Sequence, residues 1–137
     1  MGCKVSSSSN ASHYQIMFDT THSYVYIKLF GEVTLELMND SFLDLISRSD
    51  FSSNMNACYD YTDTLIEIPM IDVEQHAQFV AKHFERRGSS YKVAMVANET
   101  LNNAILAVYK LLIVNTKVEA EVFTSKKKAI DWLITSH

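Results

Sequence analysis

The chain has 137 residues, of which 47% are hydrophobic and 20% charged, with three glycines, one proline and a formal charge of -4. A chain of this length closes one core without disulfides or metals, so a single domain is expected, and the even composition excludes collagen-like, low-complexity and wholly disordered architectures. The acidic balance removes the simplest ground for nucleic-acid binding, which needs a basic face.

Residues 1–12, MGCKVSSSSNAS, are polar, rich in Ser and without apolar periodicity, which predicts a disordered tail followed by one domain over 13–137. Tyr14, Ile16 and Phe18 alternate with Gln15 and Met17; after DTTHS, Tyr24, Tyr26 and Lys28 stand opposite Val25, Ile27 and Leu29. Two such runs predict an antiparallel hairpin whose second strand ends at Gly31. Thr34 then caps a helix with Leu35, Met38, Phe42, Leu45 and Ile46 on one stripe, stopping near Ser49. Asn56 to Tyr61 predicts a short strand, and TDTLIEIPM a loop that is apolar in its second half.

Asp72 with Gln75 three residues later forms a capping-box pattern, opening a helix that turns Val73, Ala77, Val80, Ala81 and Phe84 inward until Gly88 closes it. Tyr91 to Ala97 has no polar face, as a parallel strand covered on both sides requires. Asn98 caps a third long helix carrying Leu101, Ile105, Val108, Leu111 and Leu112, and Val118 to Phe123 alternates with Glu119 and Glu121 as an edge strand does. Ser125 starts a last helix on which Ala129, Trp132 and Leu133 dock. The order ββαβαβαβα predicts an α/β domain with a mixed sheet of about five strands flanked by helices.

That order, a strand ending in YDYTD, a strand reading KVAMVAN and the ending VFTSKKKAIDWL together resemble the STAS-like proteins related to anti-sigma-factor antagonists, in particular the small STAS/CRAL-TRIO-like branch. The resemblance covers roughly 13–134 and is sharpest at Val122, Phe123, Ala129, Ile130, Trp132 and Leu133. It implies a non-enzymatic regulatory or ligand-binding module. In the better-understood relatives a Ser or Thr near the start of the second helix is phosphorylated. Here that helix opens on Asp72, Val73 and Glu74, so the nearest hydroxyls are Thr62 and Thr64, which turn chemistry beside Asp63 also explains.

No phosphate-binding glycine loop, HExxH or GxSxG pattern occurs, so no cofactor or metal is expected. His76 and His83, two turns apart on one helix, read as surface imidazoles, and Cys58 reads as an inert buried thiol. Asp60, Tyr61, Asp63 and Glu67 make a carboxylate-rich segment without a paired base. Lys82, Arg86, Arg87 and Lys92 gather where the second helix ends, as its dipole favours; Lys126, Lys127 and Lys128 oppose the dipole of the last helix and form either a solvated face or a contact with an anionic membrane. Gly2, Cys3 and Ser6 satisfy an acylation pattern, myristoyl at Gly2 and palmitoyl at Cys3, that competes with a plain disordered tail.

Two cysteines without disulfide spacing, no secretory signal and no run approaching the ~20 apolar residues of a spanning helix lead to a cytoplasmic, non-transmembrane protein. The reading is a non-catalytic regulatory or protein-binding module, with a homodimer as a further option, and the alternative is a small apolar-ligand carrier beneath Leu65, Ile66, Ile68, Pro69 and Met70. Because open α/β sheets bind beyond the carboxyl ends of their strands, Thr62, Asp63, Thr64, Asp72, Asn98 and Thr100 are the candidate docking residues. The bulk of Phe79, Phe84, Leu101 and Ile105 predicts that no large cavity lies under the apolar segment.

Overall fold

The computed structural model describes residues 12–98, 100–113 and 117–135. Its elements are β1 (His13–Asp19), β2 (Tyr24–Val33), α1 (Leu35–Ser47), β3 (Asn56–Ile66), α2 (Met70–Lys82), α3 (Phe84–Arg87), β4 (Tyr91–Val96), α4 (Thr100–Ile113), β5 (Val118–Phe123) and α5 (Lys126–Ile134). They build one α/β domain around a five-stranded sheet in the order β1-β2-β3-β4-β5, with β1 antiparallel to β2 and every other pairing parallel. The acylation pattern at Gly2 and Cys3 lies outside the described residues, as does the tail apart from Ser12.

The main core lies on the sheet face covered by α1, α2 and α4, where Val25, Ile27, Leu29, Phe42, Leu45 and Met95 pack together. On the other face α5 presses Ala129 and Leu133 onto Tyr24, Tyr26, Cys58, Ala94 and Val96. Val93 and Met95 therefore serve one core and Ala94 and Val96 the other, which is why β4 reads as an unbroken apolar run. The N-caps at Thr34 and Ser125 form as their sequences imply: each hydroxyl accepts the backbone N–H three residues on, Leu37 at 3.0 Å and Lys128 at 3.3 Å.

Several local expectations are overturned. β2 continues through Gly31 at φ 83 to Val33, and β3 continues through Thr62–Ile66, pairing Phe30–Val33 with Asp63–Ile66. Asp72 is not the cap of α2. Pro69 is, and its carbonyl accepts from the amides of Asp72 at 3.0 Å and Val73 at 3.3 Å, leaving Asp72 in the first turn. The second helix does not reach Gly88. At its end the ring of His83 donates from Nδ1 to the Phe79 carbonyl at 2.8 Å, while the His83 N–H turns to Val80 at 3.0 Å and α3 starts afresh.

Burial departs from the sequence pattern in the same region. Phe84 is 59% exposed, and on α4 Leu111 is 73% exposed, with Val108 and Leu112 also outward. The inward stripe of α4 is instead Asn102, Leu106 and the half-buried Ile105, Tyr109 and Ile113. A helix apolar on all sides does not fix its own phase; here buried Asn102, bonded to β3, does. Trp132 is only half-buried, with its ring centroid 5.6 Å from that of Phe123. Of the four cations assigned to the end of the second helix, Lys82 and Arg86 are exposed there and Arg87 is buried. Lys92 caps α5, donating to the carbonyls of Trp132 at 3.1 Å and Thr135 at 2.9 Å.

Candidate functional site

The alternation of β3 places Ala57, Tyr59 and Tyr61 on the main-core face and Cys58, Asp60 and Thr62 on the α5 face. Strict continuation would turn Asp63 and Leu65 into the main core. Instead Lys28 pairs with Asp60 and Phe30 with Asp63, so one extra β3 residue is taken up as a bulge. Parity reverses beyond it: Ile66 is buried, Leu65 is 43% exposed, and both Thr62 and Asp63 come within reach of Lys28.

The result is a polar cluster where β2 and β3 run toward their carboxyl ends. Lys28 Nζ lies 3.0 Å from Asp63 Oδ2, 3.2 Å from Thr62 Oγ1 and 3.6 Å from Asp60 Oδ2. Tyr26 donates its hydroxyl to Asp60 Oδ2, while the Thr62 amide and hydroxyl both donate to Asp60 Oδ1, at 2.9 and 2.7 Å. Lys126 of α5 closes the side, its Nζ 4.0 Å from the Tyr26 ring centroid. Burial pushes the Asp60 carboxyl up, but the bonds from Tyr26 and Thr62 and the charge of Lys28 outweigh it and hold the group below the usual carboxylate range. Burial and the neighbouring Asp60 raise the Tyr26 phenol.

A carboxylate that already accepts three hydrogen bonds and faces an ammonium has little capacity to act as a general base. Two cations meet two anions, so the cluster is charge-balanced. Thr62 gives its hydroxyl to Asp60, and Thr64 gives its own to the Tyr61 carbonyl at 2.8 Å; both are half-buried inside a paired strand, not displayed on a loop.

The other candidate residues separate. Asn98 is exposed just beyond β4, Asp72 is half-buried on α2, and Thr100 begins α4, its side chain lying outside what is described. Asn102, not singled out by the sequence, ties these elements together: its Nδ2 donates to the Thr64 carbonyl at 3.2 Å and its Oδ1 accepts the Ile66 N–H at 3.2 Å. Asn102 stands beside the apolar stripe read for this helix from Leu101, Ile105, Val108, Leu111 and Leu112, so the spacing gave no signal for it.

Beneath the apolar segment, Ile66, Ile68 and Val73 line a cavity of about 10 Å³. Among the described residues no ligand-sized space lies there; of the side chains expected to fill it Ile105 does line the cavity, Phe84 is exposed, and the Leu101 side chain lies outside the described residues. An open groove of about 310 Å³ lies near the amino end of β4, between Ala77, Ala81, Phe84, Gly88 and Leu112. Cys58 is buried, and burial together with Asp60 pushes its thiol up to about 12, the inert state expected of it. His76 is not a surface imidazole: it is buried, with Nδ1 2.8 Å from Asn39 Oδ1 and its ring stacked 5.6 Å from Tyr109. Among the described residues no helix is long and apolar enough to cross a membrane.

The parallel sheet with an antiparallel first strand, three helices on one face and α5 on the other form an α/β fold similar to the SpoIIAA-like fold. A similar solved structure is that of an uncharacterized DUF3478-family protein with a SpoIIAA-like fold from Shewanella loihica PV-4. It matches with a TM-score of 0.62 and 20% identity, covering 93% of this chain and 99% of that one. No family model matches the sequence, and no curated protein matches it.

Proposed function

We propose that the chain is a non-catalytic regulatory module of the STAS-like type that binds a protein partner through the segment 63–74. The observation that carries this reading is the exposure of Leu65, Met70 and Ile71, at 43%, 44% and 55%, on a segment whose cavity beneath is only about 10 Å³. Apolar side chains that neither pack down nor cover a cavity are suited to a contact with another molecule. Asp63, Glu67 and Glu74 are exposed around them and Asp72 is half-buried, so the partner that fits presents apolar anchors with a basic rim. Among the described residues no family of His, Cys, Asp and Glu forms a metal-binding group, and the saturated Asp60 agrees with a binding role over a catalytic one. A cytoplasmic setting accompanies this reading.

The test is native mass spectrometry of the protein isolated from its host, with Met70→Glu/Ile71→Glu beside the wild type. A stoichiometric protein adduct, absent from the double variant, is the expected result; an adduct retained at full occupancy by the variant refutes the surface. A second copy of this chain as the adduct would make the partner a homodimer mate. The second reading, an apolar-ligand carrier, is favoured by the open groove of about 310 Å³ flanked by exposed Phe84 and Leu112. A stoichiometric lipid in the same spectrum would put that reading first.

A further inference from the structure

Between the sheet and the helices α2 and α4 lies a cavity of about 30 Å³ with an unusual lining for a domain core: Arg87, His76 and the tyrosines Tyr59, Tyr61, Tyr91 and Tyr109. Arg87 is 2% exposed, and its two terminal guanidinium nitrogens have no hydrogen-bond partner among the described residues. No Asp or Glu lines the cavity, and no salt bridge to Arg87 occurs among the described residues. Among the described residues the guanidinium lies over the faces of two rings, Tyr91 at 3.5 Å and Phe51 at 5.4 Å from its carbon. A buried cation without a counter-charge is among the costliest groups a core can hold, and stacking on rings offsets only part of that cost.

The backbone that carries it is nonetheless fixed. The Arg87 carbonyl accepts the Asn54 amide at 2.9 Å, its own amide donates to His83 at 2.9 Å, and Gly88, at φ 95, lies so close to Asn54 that a Cβ there would fall 2.5 Å from the Asn54 backbone nitrogen. The phenols of Tyr91, Tyr59 and Tyr109 are near enough to interact electrostatically with the guanidinium. Fork-shaped N–H donors and phenols lining one small space suit a planar oxyanion.

We propose that this cavity binds one small planar monoanion of formate size, a carboxylate held by the Arg87 fork and the surrounding tyrosine hydroxyls. Size sets the class: one water takes up roughly 10–15 Å³ of such space, so about 30 Å³ matches two or three heavy atoms and excludes phosphate, sulfate and gluconate. Val80, Tyr91 and Ile113 line both this cavity and the open groove outside it and so form the wall between them. The site is independent of the 63–74 surface and stands or falls without it.

Thermal melts at constant ionic strength, with sodium formate replacing sodium gluconate, test the proposal. Binding to the folded state raises the midpoint progressively, by about 10 °C once formate stands a hundredfold above its Kd. Arg87→Met should abolish the formate-dependent rise. Nuclear Overhauser contacts from the formate proton to the ring protons of Tyr59 or Tyr109 in the wild-type protein provide a readout that does not depend on the variant folding. A midpoint indifferent to formate, a rise undiminished in Arg87→Met, or formate contacts confined to surface lysines would overturn the site.

Discussion

Acidification from pH 7.5 to pH 5 should cost the domain about 2 kcal/mol through His76 alone. Burial lowers the pKa of this imidazole from 6.5 to about 4, between Asn39 of α1, Tyr109 of α4 and the ring of Phe42. Unfolded chains recover the higher value. Between the two pKa values the unfolded state binds more protons than the folded one, so His76 imposes no penalty above about pH 6.5 and a growing one as the pH falls toward 4. At one unit of pKa to 1.36 kcal/mol, the penalty is about 2 kcal/mol at pH 5 and about 3 kcal/mol at pH 4. Asp19, Asp44 and Asp60, all held below the ordinary carboxylate value of 3.8, lose their contribution only at lower pH and leave this window clear. Urea titrations in gluconate buffers should therefore show the midpoint fall by about 1 M between pH 7.5 and pH 5, for a slope near 2 kcal/mol/M. His76→Gln keeps a donor for Asn39 but cannot titrate, and should flatten that part of the profile. A wild-type profile already flat in this window, or the same slope in the variant, would refute the reasoning.

Three further outcomes are expected from urea melts. Gly88→Ala places a side chain at φ 95 against the Asn54 backbone and should cost at least about 1–3 kcal/mol; an unchanged midpoint would mean the Asn54 turn moves freely. Asn102→Leu leaves the Ile66 N–H and the Thr64 carbonyl without their partner and should cost about 1–3 kcal/mol, with loss of amide protection at Ile66 by hydrogen exchange. Tyr26→Phe removes one of the donors to buried Asp60 and should cost a similar ~1–3 kcal/mol, whereas a neutral result would show that Lys28 and Thr62 alone satisfy the carboxylate.

What the sequence made legible was whatever rested on uninterrupted periodicity or on a capping side chain. The stripe of α1, the double-sided β4 and the hydroxyl caps at Thr34 and Ser125 all depend on local spacing, and the fold class follows from their order. The bulge in β3 defeated the same method, since TDTLI breaks alternation at Thr62 and a strand that changes parity looks like a loop. The interior polar groups were hidden for another reason. Arg87 lies four residues after His83 at the end of a helical stretch, where a cation is ordinarily explained by the dipole, and nothing in the local pattern shows that the break at His83 turns it inward. His76 and Asn102 likewise owe their burial to partners on other elements, Asn39 and Ile66, more than thirty residues away.

The parity reversal in β3 bears on how this domain tolerates change in length. Deleting Thr62 would restore simple alternation with Tyr61 and Ile66 both still inside, but would remove the amide and the hydroxyl that donate to buried Asp60. The strand behaves as two halves of opposite parity joined by one bulged residue. Its first half is committed to the core, while its second half can exchange outward-facing residues such as Leu65 without disturbing Tyr59 or Cys58. Variation among descendants of such a chain would be expected to leave the length between Asp60 and Asp63 unchanged, because the bulged Thr62 supplies two of the donors to buried Asp60.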